Sequence, residues 1–264
     1  MPETGSGPTQ DLETRVADGV LWLTLNRPGL LNAMSAEMSV AVASYVEEAV
    51  ARDDVRVVVL TGAGDAFSTG ADISGADAHE RFDVRALDLA NRIIRAIVTL
   101  DKPVVAAVNG IAAGVGCSAA LAADVIIAKE SAGFLLAFAR VGLMPDGGAS
   151  ATVAASIGRA RAMRMALLAE PLSAREAYDA GLITHLAPDD EFDDLVAKVV
   201  RRLASGAPLA QAATKRAINA ATLGHLDDAL ERERTGQALL LRTADVAEGM
   251  RAFTERRRPD FRGE

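Results

Sequence analysis

Two stretches of the sequence run from a short apolar segment directly into a turn that contains glycine. They are VVVLTGAGDAFSTGADI (Val57–Ile73) and VVAAVNGIAAGVGCS (Val104–Ser118). Uninterrupted apolar segments are typical of strands buried on both faces, as in a parallel sheet covered by helices. Parallel sheets bind ligands just beyond the carboxyl ends of their strands, where such turns collect. The sequence therefore favours an α/β fold whose site is built from these two turns.

The rest of the chain fits the same class. Further strands are predicted at Val20–Asn26 and Asp124–Glu130, and helices at Ser35–Arg52 and Val84–Leu100. The second half is mostly helical. It contains a capping box at Ser173 and Glu176, a stop signal at Gly181, and three predicted helices across Asp190–Glu255. We expect an α/β arrangement followed by helices, with no split into independent domains.

Charge and composition exclude several classes of protein. The net charge of −8 argues against a general binder of nucleic acid or of anionic membranes. No apolar run reaches the roughly 18–20 residues of a membrane span. A single cysteine excludes an intrachain disulfide and a cysteine-cluster metal site. The start, MPETGSGPTQ, lacks the pattern of a secretory signal, and residues 1–14 are predicted to be a disordered lead. These features predict a soluble, cytoplasmic protein without a metal site.

The glycine turns allow three interpretations. Two backbone N–H groups that converge on one oxygen would form an oxyanion hole. A phosphate site is less well supported, because Gly62-Ala63-Gly64 lacks the third glycine and the following helix of a dinucleotide site. The glycines could also simply allow tight turns.

Asp146 is the carboxylate that stands out. It lies in FLLAFARVGLMPDGGAS (Phe134–Ser150), after an apolar run and before two glycines and a helix. One interpretation is a helix N-cap, for which Asp is a leading choice. The other is a proton shuttle, because apolar surroundings would raise the pKa of the carboxyl. Cys117 is interpreted as a small buried filler, and the three histidines as ordinary surface or boundary residues.

Six motifs in order along the chain resemble the crotonase superfamily, the enoyl-CoA hydratase/isomerase proteins. The motifs are LNRPGLLNAMS (Leu25–Ser35), AFSTGADI (Ala66–Ile73), DKPVVAAVNGIAAGVG (Asp101–Gly116), VGLMPDGG (Val141–Gly148), LSAREAYDAGLI (Leu172–Ile183) and AFTERRRPDF (Ala252–Phe261). The resemblance runs from about residue 16 to the C-terminus.

This resemblance implies a fold and a substrate. The fold is a spiral of ββα turns over residues 15–200, followed by a helical region over 201–264 that packs subunits into trimers or hexamers. The substrate is an acyl-CoA thioester, so coenzyme A is part of the substrate and no separate cofactor is expected. Neither nucleic acid nor a membrane is an expected partner.

The resemblance also assigns catalytic roles. The N–H groups of Ala71 and Val115 would hold the thioester oxygen while an enolate forms. Hydratases of the family use two glutamates, and this sequence has Ser118 and Phe138 at those positions, which supply neither an acid nor a base. Isomerases of the family often use one carboxylate in a GLxxE/D-GG turn, where GLMPDGG places Asp146. The pattern is nearest to bacterial enoyl-CoA isomerases, including those of phenylacetate breakdown, with Asp146 as the proton shuttle.

Other residues are predicted to bind the substrate. The candidates for contacts with coenzyme A are Ser68, Gly70, Asp72 and Ile73, with Arg256 directed to its phosphates. Phe134, Phe138 and Leu143 are predicted to line a dry acyl pocket, or else to be ordinary core residues. Asp72 could instead stabilise its turn, and Arg256 could be a solvated charge of the tail. The alternative functions are an enoyl-CoA hydratase and a non-catalytic protein that binds acyl-CoA.

Overall fold

The structure is a computed structural model that describes residues 10–73 and 83–264. The strands are β1 (Leu12–Ala17), β2 (Val20–Leu25), β3 (Val57–Gly62), β4 (Ala66–Ser68), β5 (Val104–Val108), β6 (Ile111–Ala113), β7 (Val125–Lys129), β8 (Gly133–Leu135), β9 (Leu172–Ser173) and β10 (His185–Ala187). The helices are α1 (Ala36–Glu48), α2 (Val84–Thr99), α3 (Gly114–Leu121), α4 (Ala149–Leu168), α5 (Ala174–Asp179), α6 (Phe192–Ala204), α7 (Pro208–Thr222), α8 (Leu226–Leu240) and α9 (Ala244–Thr254).

Two sheets form the centre of the fold. The larger one has the strand order β1-β2-β3-β5-β7-β10, and the smaller one has the order β4-β6-β8-β9. Successive passes of the chain add one strand to each sheet: β3 with β4, then β5 with β6, then β7 with β8. Helices α2, α3 and α4 follow these three pairs. This alternation confirms the predicted α/β spiral of ββα turns.

The larger sheet begins earlier than predicted. The predicted disordered lead extends to residue 14, but β1 starts at Leu12 and pairs antiparallel with β2. The two strands join through Asp18 and Gly19, which both have positive φ, at 53° and 78°. A tight hairpin turn of this kind requires positive φ at both central residues. The prediction was wrong for residues 12–14, and residues 1–9 lie outside the described part of the chain.

The core lies on both faces of the larger sheet. Between the two sheets and helices α1 to α3, a large cluster includes Leu23, Met38, Phe67 and Ile94. On the opposite face, α6 packs its apolar side against the strands through Phe192, Val196 and Val200. Alternate residues of the parallel strands thus bury to opposite sides, as the uninterrupted apolar runs predict.

The second half differs from its prediction in the number of helices. Among the described residues, 190–255 contain four helices, α6 to α9, rather than three. Pro208 occupies the first turn of α7, and Thr243 caps α9 by accepting the N–H of Val246. These are ordinary start signals for a helix. The predicted boundary between the core region and the C-terminal helical region, at residue 200, lies within α6.

Helix α7 is tied to the core by a partly buried ion pair. Lys215 Nζ donates to Asp124 Oδ2 at 2.7 Å and to the carbonyl of Ile97 at 2.8 Å. Asp124 Oδ2 in turn accepts the N–H of Val104, so the pair links α7 to the start of β5.

No helix among residues 10–73 and 83–264 is both long and apolar enough to span a membrane.

Candidate active site

The two glycine turns lie side by side at the carboxyl ends of β3 and β5. Asn109 connects them, because its Oδ1 accepts the N–H of Gly62 at 3.2 Å and its Nδ2 donates to the carbonyl of Gly64 at 2.7 Å. Gly110 fits only without a side chain, since a Cβ there would lie 2.0 Å from the carbonyl oxygen of Asp65. The two turns therefore meet at one edge of the larger sheet.

Val115 lies in the first turn of α3. This helix has no side-chain cap, and its N-cap residue is Ala113. The first four N–H groups of a helix have no partner within the helix, and they form its positive end. The Val115 N–H is one of these four. It is therefore a donor available to a ligand at the start of α3.

The Ala71 N–H belongs to the facing turn. Ala71 forms a parallel bridge with Met34, in which Met34 donates to the carbonyl of Gly70 and Asp72 donates to the carbonyl of Met34. Such a bridge uses the groups on either side of Ala71, so the N–H of Ala71 itself points away from Met34. Gly70 has a φ of +91°, and a Cβ on it would lie 3.1 Å from the Val115 nitrogen. The segment that carries one donor thus touches the residue that carries the other.

Ala71 and Val115, which carry the two donors, both line one cavity of about 540 Å³. Its walls come from the start of α1, from the turn around Ala71 and Asp72, from α2, and from Val115. The structure therefore brings Ala71, Asp72 and Val115 together around one cavity. Asp146 is not part of the wall of this cavity.

Asp146 lies deeper, beside α3. The residue is only 5% exposed, and one of its oxygens, Oδ2, accepts a hydrogen bond from Gln237 Nε2 at 2.9 Å. Its other oxygen, Oδ1, has no hydrogen-bond partner. Among the described residues, it is the one buried side-chain oxygen or nitrogen in this state. Burial raises the pKa of the carboxyl to about 7; the hydrogen bond from Gln237 lowers it, and the charge of Glu233 raises it. A buried carboxyl with a free oxygen and a pKa near neutrality suits proton transfer.

The N-cap interpretation of Asp146 is wrong. The N-cap of α4 is Gly148, with a φ of +73°. The carboxylate that serves this helix start is Glu233 of α8, whose two oxygens accept the N–H groups of Gly148 at 2.7 Å and Ser150 at 2.9 Å. Asp146 is consequently not held in place by capping its own helix.

Ser118 and Phe138, the residues at the two positions discussed for hydratases, are both buried. The hydroxyl of Ser118 donates to the main-chain carbonyl of Asp146 at 2.7 Å. Its side chain also limits the space around Gly147, where a Cβ would lie 2.9 Å from the Cβ of Ser118. Neither residue supplies a carboxyl group to the surroundings of Asp146.

The predicted substrate residues fall into two groups. In the first turn, Ser68 is fully buried, and its hydroxyl donates to the carbonyl of Asn32 and accepts the N–H of Gly70. Asp72 forms an ion pair with Arg27 at 2.9 Å. These bonds favour a role for both side chains in shaping the turn. Ile73 is half-buried against the main core.

The second group consists of the predicted acyl-pocket residues and Arg256. Phe134, Phe138 and Leu143 are all buried in the main core cluster, as the alternative interpretation expects. Arg256 is exposed just beyond the end of α9, with a φ of 53°. Contacts of these residues with a substrate stay predictions.

Glu233 and Gln237 were missed by the sequence interpretation. Both are buried, at 1% and 0% exposure, although Glu233 stands in the charged run LERERTGQ. The available signal was helical phase. Leu226, Leu230, Glu233 and Gln237 follow one another at intervals of three or four residues, which places them on one face of a helix.

Comparisons with known proteins all indicate the same family. The sequence profile described as enoyl-CoA hydratase/isomerase matches residues 15–264. A protein of Escherichia coli named 1,2-epoxyphenylacetyl-CoA isomerase is 38% identical over 255 residues, which cover 95% of this chain and 97% of the relative. A second protein of that organism, named 2,3-dehydroadipyl-CoA hydratase, is 34% identical and covers 92% of this chain and 95% of its own length.

Solved structures agree with this result. The crystal structure of an enoyl-CoA hydratase from Mycobacterium avium subsp. paratuberculosis superposes with a TM-score of 0.91. It is 49% identical in sequence, and the match covers 97% of this chain and 100% of the other. Relatives of this chain are thus named both as isomerases and as hydratases.

Proposed function

Because the chain belongs to the enoyl-CoA hydratase/isomerase family, we propose that this acyl-CoA enzyme shifts the double bond of an enoyl-CoA. The observation that carries the proposal is the state of Asp146. It is a buried carboxyl with an unpartnered Oδ1 and a pKa raised to about 7 by burial. Serine and phenylalanine stand where the hydratases that the motifs resemble have glutamates.

The reaction follows from these groups. The thioester oxygen binds between the N–H groups of Ala71 and Val115, at the positive end of α3. Asp146 Oδ1 removes a proton from C2 of a 3-enoyl chain, and the electron pair spreads to the thioester oxygen and across C2 to C4. The protonated carboxyl then returns the proton at C4, which leaves the double bond between C2 and C3. One carboxyl serves both steps, because no water is consumed.

A hydratase is the second candidate, since several relatives carry that name. Hydration needs a group that activates water and a second group that protonates C2. In the described part of the chain, Glu233 is the other buried carboxyl near Asp146. Both of its oxygens already accept backbone N–H groups at the start of α4. Glu233 therefore supports the helix, and the arrangement favours isomerisation.

The experiment gives the purified protein a 2-enoyl-CoA, a 3-enoyl-CoA and an arene-epoxide CoA thioester in separate reactions. The third substrate is included because of the relative named 1,2-epoxyphenylacetyl-CoA isomerase. We expect conversion of the 3-enoyl-CoA to the 2-enoyl-CoA, and loss of this activity in Asp146→Asn. Rapid formation of 3-hydroxyacyl-CoA from the 2-enoyl-CoA would overturn the proposal. Unchanged turnover of every substrate by Asp146→Asn would exclude Asp146 as the base.

We also propose that the enzyme assembles into trimers, or into hexamers made of two trimers, as the family resemblance implies. The exposed apolar side chains of Leu167, Leu168 and Leu209 support a further interface. The molar mass in solution, measured by light scattering, tests this. A mass equal to the 27.5 kDa of one chain would contradict it.

A further inference from the structure

The side chain of Gln237 connects Asp146 to the loop before α4. It is fully buried on the face of α8 that also carries Glu233. Its Oε1 accepts the N–H of Met144 at 3.1 Å, and its Nε2 donates to Asp146 Oδ2 at 2.9 Å. A backbone N–H can only donate, so the amide oxygen must face Met144 and the amide nitrogen must face Asp146.

This fixed orientation has two effects on the carboxyl. The bond occupies Oδ2, which leaves Oδ1 as the oxygen without a partner. An N–H donor also favours the ionised form of a carboxyl over the protonated form, because only the former accepts fully at that oxygen. Gln237 thus determines which oxygen of Asp146 lacks a hydrogen-bond partner. It also lowers the pKa of this carboxyl.

We propose that Gln237 is a positioning residue for the catalytic base: it holds the Asp146 carboxyl in one orientation and keeps Oδ1 available to take up the proton. This inference rests on the proposed function, in which Asp146 is the base. Gln237 acts through its hydrogen bond to the carboxyl and is not itself a catalytic residue.

The other groups around Asp146 are few among the described residues. Helix α8 contributes the carboxylate of Glu233, whose charge opposes ionisation of Asp146. Helix α3 contributes the hydroxyl of Ser118, and it also carries Cys117, whose pKa burial raises to about 12. Helix α2 contributes the apolar side chain of Ile94, next to Gly147. Gln237 is therefore the side chain that offsets burial and the charge of Glu233 at Asp146.

The experiment compares Gln237→Met and Gln237→Glu with the wild type. Methionine keeps the length of the side chain but donates nothing, and glutamate keeps its shape and the acceptor for Met144. Gln211→Met is the matched control. The amide of Gln211, on α7, also donates a hydrogen bond, but to the carbonyl of Leu203 on α6. Thermal melting shows that each variant is folded.

Two readouts are measured against pH. The first is kcat/KM for a 3-enoyl-CoA. The second is an infrared difference titration of the carboxyl band that disappears in Asp146→Asn, which needs no substrate. In both readouts, we expect the midpoint for ionisation of Asp146 to rise by about one pH unit in Gln237→Met. It should rise further in Gln237→Glu, where a second carboxylate would oppose ionisation of Asp146. Activity should partly recover at high pH, and Gln211→Met should keep the wild-type midpoint.

A structural role alone would lower activity equally at every pH, with an unchanged midpoint, and that result would overturn the inference. So would a midpoint that moves downward in either variant. If the wild type isomerises no enoyl-CoA, the proposed function fails instead. The infrared titration then still decides whether Gln237 controls the protonation of Asp146.

Discussion

The hydroxyl of Ser118 donates a hydrogen bond to the main-chain carbonyl of Asp146 at 2.7 Å. Ser118 and Val115 lie three residues apart on α3, and are thus on the same face of this helix, about one turn apart. The helix whose first turn would bind the thioester oxygen therefore also anchors the backbone of Asp146, the proposed base. Ser118 thus supports the backbone of Asp146 and contributes no carboxyl group of its own.

Isomerase activity should rise with pH through about 7. Asp146 acts as a base only when ionised, and burial raises the pKa of its carboxyl to about 7. The measurement is kcat/KM for a 3-enoyl-CoA between about pH 5 and pH 9, at constant ionic strength. A profile that is flat through this range would contradict the assignment of Asp146 as the base.

Asp146→Asn should be more stable than the wild type above neutral pH. The pKa of the folded state is raised above the ordinary 3.8, so the folded protein holds a proton that the unfolded chain has lost. Stability contributed by this group is present below pH 3.8 and is lost as the pH rises to about 7. At roughly 1.4 kcal/mol per pH unit, the loss is on the order of 4 kcal/mol.

Urea unfolding of both proteins at about pH 5 and pH 8 measures this difference. The advantage of Asp146→Asn should be larger at the higher pH. An equal difference in the free energy of unfolding at both values would show that burial does not hold the proton.

Val115→Pro should lower kcat by about 10²–10³-fold, because it removes one of the two N–H donors. Proline is tolerated in the first turn of a helix, where its N–H has no partner in the helix, so α3 should still form. Val115→Ala is the control, since it shortens the side chain and keeps the N–H. Equal activities of the proline and alanine variants would argue against an oxyanion hole at this position.

Glu233→Gln should move the midpoint of the pH profile downward, opposite to the variants of Gln237. The change removes a negative charge that raises the pKa of Asp146. It should also lower the free energy of unfolding by about 1–2 kcal/mol, because an amide offers only one oxygen to the N–H groups of Gly148 and Ser150. Glu231→Gln, an exposed change on the same helix, should alter neither quantity. A midpoint that rises in Glu233→Gln would contradict this account.

Lys215→Met should destabilise the protein by up to about 3–5 kcal/mol, because it leaves the partly buried carboxylate of Asp124 without its cation. Arg216→Met is the matched control. Arg216 pairs with Asp101 at the surface, where the two side chains are 61% and 54% exposed, and such pairs contribute about 1 kcal/mol or less. Chemical unfolding measures both variants, and similar losses for the two would show that the ion pair does not hold α7 to the core.

The architecture could be predicted where local signals were strong. The apolar runs of β3 and β5, the cap of α1 at Ser35 and the capping box of α5 all appear as the sequence predicts. The strand β1 was missed because it lies at the sheet edge and has three consecutive polar residues, Glu13 to Arg15, so it lacks the apolar pattern of a strand. The division of the last helices was misjudged although Pro208 and Thr243 mark two of their starts.

The site was predictable only in part. Ala71, Val115 and Asp146 could be proposed as site residues because each belongs to a contiguous motif. Gln237 and Glu233 approach Asp146 and Gly148 from 91 and 85 residues further along the chain. No local pattern states which buried residue of α8 meets which loop. That pairing depends on how the last helices pack, which composition and spacing do not specify.

This long separation has a consequence for folding. Contacts between residues so far apart in sequence close only after the intervening chain has been ordered, and they form late when loop closure limits the rate. Until α8 docks, Asp146 lacks both Gln237 and much of its burial, and it should behave as an ordinary aspartate in water. Uptake of a proton by Asp146 during refolding would then report the time at which α8 docks onto the core.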